Sequence, residues 1–249
     1  MQVNPRKIDS ARQLIVPGDR VATLHFAVHH FLEFANHSIE KQGKFVVALS
    51  GGSTPNAMYA ALEKMGNTID WSKVHLFWGD ERSVPPNHSD SNYYTAMEAG
   101  LKNLPIPKRQ IHRMVAEKDL EIEAEKYEAA IKRERIEPSS FDLVMLGVGE
   151  DGHVASLFPN TEALQETKRW VVANEVPQLR TTRMTITYPC IQAAKAVVIY
   201  AIGKAKQSIV SKILHSPPNP SWPASQIGND SHPVLWIVDR DVIAKDSFP

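Results

Sequence analysis

The chain has 249 residues, and its 28 Lys plus Arg against 28 Asp plus Glu leave no formal net charge. That balance argues against a chain built to neutralise a nucleic-acid backbone, and 43% hydrophobic with 22% charged residues excludes a disordered one. A single cysteine, Cys190, rules out an intrachain disulfide and an all-cysteine metal cluster.

Met1 to Arg20 holds no apolar segment of signal-peptide length. No stretch approaches the roughly 18 apolar residues of a membrane span. A soluble cytoplasmic protein with neither nucleic-acid nor membrane partners is expected. The length lies between one and two average domains. With no repeat, low-complexity tract or linker in view, residues 1–249 read as one domain.

Apolar residues at Val21, Leu24, Val28, Phe31, Leu32, Ala35 and Ile39 step by threes and fours, which predicts an amphipathic helix capped by Asp19 and broken at Gly43. Phe45 to Leu49 is a short apolar run of the kind buried on both faces of a sheet. Ser50 to Pro55 follows as a loop, then a helix from Pro55 to about Met65. Val74 to Trp78 reads as a strand, Gly79 to Asn92 as a polar loop, and Ser91 to Leu101 as a helix. Asp119 to Arg135 is a charged helix with an apolar stripe, and Phe141 to Leu146 a buried strand. Met184 to Thr187 is extended, Ala196 to Ile202 a strand, Lys204 to Leu214 a helix, and Val234 to Val238 the last strand after the loop Pro217 to Pro223. Alternating strands and helices imply a mostly parallel sheet covered on both faces, an α/β fold. Ligands in such sheets gather at the carboxyl ends of the strands.

Three loops at those ends carry chemistry. In Ser50-Gly51-Gly52-Ser53-Thr54-Pro55 the glycines admit a ligand to the backbone, the hydroxyls donate, and the following helix start favours an anion. The Lys-Ser/Thr ending of a Walker loop is missing. Asp80-Glu81-Arg82 joins two carboxylates to an arginine able to grip a phosphate; the competing reading is a surface ion-pair cluster. Gly147-Val148-Gly149-Glu150-Asp151-Gly152-His153 matches a dinucleotide fingerprint, but Pro159 leaves no room for the helix that fingerprint needs. What remains is a histidine in a glycine turn. If the segment is extended, Asp151 and His153 point to the same side, and a neutral His153 can act as a base. The competing reading is a histidine that only satisfies its own loop.

Lys204 and Lys206 at a helix start, and Arg180 and Arg183, are further basic candidates, each with a solvated face as its alternative. Cys190 and the five tryptophans read as structural, and His29-His30 lacks the spaced partners of a metal site.

In order and spacing, the Ser50–Pro55 loop, Gly79-Asp80-Glu81-Arg82-Ser83-Val84-Pro85 with Ser91-Asn92, and Gly147 to Pro159 resemble the 6-phosphogluconolactonase family over nearly the whole chain. The resemblance implies a Rossmann-like three-layer α/β/α fold shared with glucosamine-6-phosphate deaminases. It implies hydrolysis of 6-phospho-D-glucono-1,5-lactone in the oxidative pentose phosphate pathway, with no cofactor and no essential metal. His153 becomes the base, with Asp151 beside it. Ser50, Gly51, Gly52, Ser53, Thr54, Arg82 and Lys206 hold the phosphate, with Asp80 and, more loosely, Arg183 completing the substrate site. The partner is a sugar-phosphate lactone, and a monomer is expected. The deaminases resemble the chain in their Asp-Gly-His core but carry a carboxylate five residues after the histidine; here that position is Phe158, which cannot move protons. A non-catalytic sugar-phosphate sensor is the remaining alternative.

Overall fold

The apolar runs become the middle of one large sheet. The computed structural model describes residues 4–65 and 68–243. The chain begins with β1 (Arg6–Lys7), β2 (Arg12–Ile15), α1 (Arg20–Gln42), β3 (Phe45–Leu49) and α2 (Ser53–Lys64). Next come β4 (Val74–Trp78), β5 (Asp80–Arg82), α3 (Asn92–Glu98), β6 (Ile111–His112) and α4 (Leu120–Glu134). The last third holds β7 (Leu143–Gly147), β8 (Val171–Val176), β9 (Thr181–Ile186), α5 (Tyr188–Gln192), β10 (Ala196–Ala201), α6 (Gln207–His215) and β11 (Val234–Val238).

The central sheet runs β1-β2-β11-β10-β7-β3-β4-β6, parallel except for the β1–β2 pair. Side chains alternate across it, as a strand's two-residue period requires. In β3, Val46 and Ala48 join the core under α4 and α6, while Phe45, Val47 and Leu49 join the core under α1 and α2. This is the expected three-layer α/β/α arrangement. Asp19 caps α1 by accepting from the Ala22 N–H at 2.9 Å, and Gly43 ends it in the left-handed region at φ 81°. Among the described residues no helix is long and apolar enough to cross a membrane.

Several boundaries and strands differ from the sequence expectation. The polar loop expected from Gly79 begins instead as β5, the first strand of a small antiparallel sheet β5-β9-β8. β8 escapes a hydrophobic pattern because its Asn174 is buried for hydrogen bonding: its amide donates to the Ser156 carbonyl at 2.7 Å and to Thr161 Oγ1 at 3.0 Å. β2 is hidden by buried Arg12, whose guanidinium is held by Asp9 and by the carbonyls of Ile213 and Ser216. α2 begins at Ser53 rather than Pro55, and α3 ends at Glu98 rather than Leu101. Lys204–Lys206 is a 3-10 turn ahead of α6.

The chain steps outward from β3 to β4 and β6, then returns to place β7 on the other side of β3. The strand order therefore reverses between β3 and β7. A crevice opens at the carboxyl ends of two such strands because their connections leave in opposite directions. The loops after β3 and β7 are Ser50–Gly52 and the glycine turn ending at His153.

Candidate active site

Ser50 ties the two sides of the crevice together. Its hydroxyl accepts from the Gly147 N–H at 3.2 Å, and its carbonyl accepts from Tyr59 Oη at 2.7 Å. Gly51 has no space for a side chain, since a Cβ there would lie 1.8 Å from Asn92 Oδ1. Gly52, at φ 102°, is the N-cap of the twelve-residue α2 and brings no side-chain hydrogen bond to it. The first-turn N–H groups of α2 therefore stay available to an anion at the crevice.

Asp80 and Glu81 are buried, which corrects the picture of a surface ion-pair cluster. Glu81 accepts from Ser91 Oγ and from the N–H groups of Arg82, Asn92 and Tyr93, and so anchors the start of α3. Burial still pushes its carboxyl above the usual value. Asp80 accepts from Ser156 Oγ at 2.6 Å and Asn92 Nδ2 at 3.1 Å, with Arg183 Nη1 at 4.0 Å. Its oxygens are largely taken up by protein donors.

The same strand pairing makes a cationic corner. Arg82 lies directly opposite Arg183 across β5 and β9. Two like charges at such a position repel. Burial, and then the facing Arg82 charge, push Arg183 below its usual value against the pull of Asp80, Glu81 and Asp90. Arg82 donates through Nη1 to the Asp90 carbonyl at 2.6 Å, yet the Nε atoms of both arginines are buried without a hydrogen-bond partner. An anion between the guanidiniums would relieve the repulsion and satisfy free donors.

His153 stands across from this corner. Its Nδ1 is 2.6 Å from Asp151 Oδ1, and its ring stacks on Phe158 with centroids 4.0 Å apart. The pairing arises from the tight glycine turn and not from an extended segment: Gly152 N–H donates to the Gly149 carbonyl, and Gly149 N–H to the His153 carbonyl. Gly149 is required by close approach, because a Cβ there would fall 2.1 Å from His153 Nδ1. Burial raises the Asp151 carboxyl, but the hydrogen bond and charge of His153 outweigh it and hold the group below its usual value. An ionised Asp151 accepts a hydrogen bond from the Nδ1–H tautomer of His153. Nε2 is then the basic nitrogen.

These groups share a cleft of about 190 Å³ lined by Ser50, Gly51, Gly52, Asp80, Arg82, Gly149, His153, Arg183 and Lys206. Lys206 reaches it and Lys204 does not. Ser53 and Thr54 lie outside its lining, in the first turn of α2. Asn92 and Ala155 also line it, and the reading of the sequence assigned them no role. The Asp-Glu-Arg loop could have pointed to Asn92, since a buried aspartate at a strand end needs a donor. Cys190 is fully buried, its thiol pushed up by burial, and remains structural. A larger hollow of about 630 Å³ lies between α1 and β2, but its lining is mainly apolar with His25, His29 and His30 and lacks convergent cations. Size alone does not make it the site of an anionic ligand.

The family model described as glucosamine-6-phosphate isomerases/6-phosphogluconolactonase matches residues 18–236. A 6-phosphogluconolactonase of Chlamydia trachomatis serovar D is 41% identical over 239 residues, covering 96% of this chain and 92% of that protein. One from Chlamydia muridarum is 42% identical over 235 residues, covering 94% and 90%. The crystal structure of a 6-phosphogluconolactonase from Thermotoga maritima superposes with a TM-score of 0.79 at 27% identity, covering 91% of this chain and 99% of that one.

Proposed function

The chain belongs to the glucosamine-6-phosphate isomerase/6-phosphogluconolactonase family, and we propose that it performs that family's lactone hydrolysis with His153 as the base and the Arg82–Arg183 corner as the phosphate anchor. The reaction is hydrolysis of 6-phospho-D-glucono-1,5-lactone to 6-phosphogluconate in the pentose phosphate pathway, the activity for which its relatives are named.

The phosphate binds against Gly51, Gly52 and the start of α2, between Arg82 and Arg183, with Lys206 adding charge. Asp80 holds Asn92 and Arg183 in place. His153 Nε2 takes a proton from water, and the hydroxide formed bonds to the lactone carbonyl carbon. Asp151, ionised and bonded at Nδ1, stabilises the imidazolium. As the tetrahedral species collapses, the bond from the carbonyl carbon to the ring oxygen breaks. The Nε2 proton passes to that oxygen, leaving a hydroxyl and a carboxylic acid that ionises. A positioned base of this kind accelerates by about 10²–10⁴-fold. No covalent intermediate is required. Ser50 Oγ is committed to the Gly147 N–H and Cys190 is buried, so neither is poised as a nucleophile.

The observation carrying this reading is that His153, bonded to Asp151 at Nδ1, lines the same 190 Å³ cleft as Arg82, Arg183 and Lys206. Phe158, stacked on His153, occupies the position at which the deaminases carry a proton-moving carboxylate. The test is His153→Ala assayed with freshly generated phosphorylated lactone. Turnover is expected to fall at least about a hundredfold with the fold intact. A near-normal rate removes His153 as base, and ammonia release from glucosamine 6-phosphate by the unmodified protein would move the chain to the deaminase branch.

A further inference from the structure

The edge of the sheet near the amino-terminal end of β4 carries a second cluster. His75 and Phe77 share one face of β4, and His112 of β6 pairs with Phe77 on that face. The His75 and His112 rings lie nearly parallel, 5.8 Å apart at 9°. Glu134, the last residue of α4, closes the group with Oε2 3.4 Å from His75 Nδ1. His75 Nδ1 and His112 Nε2 are both buried without a hydrogen-bond partner. Buried nitrogens are ordinarily satisfied, and two of them beside one carboxylate suit a shared cation. Along β4 this is roughly 13 Å from Gly79, at about 3.3 Å per residue, and so apart from the lactone cleft.

We propose that His75, His112 and Glu134 form a divalent-metal site, best fitted by zinc, that ties the end of α4 to the β4–β6 edge. The three ligand atoms lie within 4.8 Å of one another. Tetrahedral zinc with bonds of about 2.0–2.1 Å places ligand atoms roughly 3.3–3.4 Å apart, the separation already present between His75 and Glu134. Closing the longest separation requires side-chain shifts of about 1 Å. Two imidazoles and a carboxylate suit zinc over magnesium or calcium, which prefer all-oxygen shells. The carboxylate is oriented: Arg133 Nε donates to its Oε1 at 2.9 Å, leaving Oε2 toward His75. A hollow of about 350 Å³ beside His75 and Glu134 provides entry and a fourth coordination position. Lys44, Lys73 and Arg109 line that hollow, so its charge selects hydroxide or another anion for that position.

The probe is Zn²⁺ titrated calorimetrically into metal-free full-length protein. His29→Ala is used as the background, because His25 Nε2 and His29 Nε2, 3.1 Å apart on exposed α1, form a chelating pair of their own. One equivalent is expected to bind and to raise Tm. Glu134→Gln and His112→Gln should each weaken binding at least about tenfold, with lactonase turnover unchanged. Co²⁺ in place of Zn²⁺ should give four-coordinate absorption bands that Glu134→Gln abolishes. No saturable binding, or binding unchanged by Glu134→Gln, overturns the proposal. Glu134→Gln lies at a helix end and decides the matter even if His112→Gln fails to fold.

Discussion

Arg183→Met separates what the paired arginines do for stability from what they do for substrate. Methionine keeps an unbranched stem against Phe158, whose ring lies 5.6 Å below the guanidinium. It removes one of two charges that face each other across β5 and β9. Relief of that repulsion is worth about 0.2–1 kcal/mol. Against it stand a cation–π contact of about 0.5–1 kcal/mol and a long 4.0 Å approach to Asp80. The stability terms nearly cancel, so Tm should move by only a few degrees. Phosphate binding has no such cancellation. A hydrogen bond to a charged group contributes about 1.5–3 kcal/mol, so KM for the phosphorylated lactone should rise roughly ten- to a hundredfold with kcat little changed. The assay compares phosphorylated and unphosphorylated gluconolactone on both proteins and adds a melting curve with inorganic phosphate. Phosphate should stabilise the unmodified protein more than the variant. An equal KM change for both lactones, or an unchanged KM with a large fall in Tm, would refute the anchor.

Two further outcomes follow from the histidine turn. Gly149→Ala puts a methyl 2.1 Å from His153 Nδ1 and 2.5 Å from Asp151 Oδ1; displacing the pair by about 1 Å should lower kcat on the order of a hundredfold, and a normal kcat would mean the turn does not hold the base. Asp151→Asn bears on pH. A carboxyl held below its usual 3.8 contributes stability that is present above that value and lost as pH falls through the folded one. The unmodified protein should therefore exceed Asp151→Asn in urea resistance at pH 7, and the gap should begin to shrink below about pH 4; a gap unchanged at pH 3 would contradict the ionised pair.

The chain's periodicity determined the layers. Runs such as Phe45–Leu49 and Phe141–Leu146 read as strands covered on both sides, and the three-and-four spacing from Val21 to Ile39 as a helix that buries one face, although Val21 itself is exposed. The Asp-Gly-His turn was also readable, because the contacts that shape it, the close approach of Gly149 to His153 included, are local in the chain, whereas Gly51 is constrained by the distant Asn92. What depended on tertiary structure was everything made by strand pairing at a distance. Register across β5 and β9 set Arg82 against Arg183, roughly a hundred positions apart, and turned an apparent surface cluster into buried Asp80 and Glu81. Register across β4 and β6, with the length of α4, brought His75, His112 and Glu134 together. No local spacing encodes such meetings, since the energy that fixes register comes from the apolar faces between them rather than from the charged residues themselves.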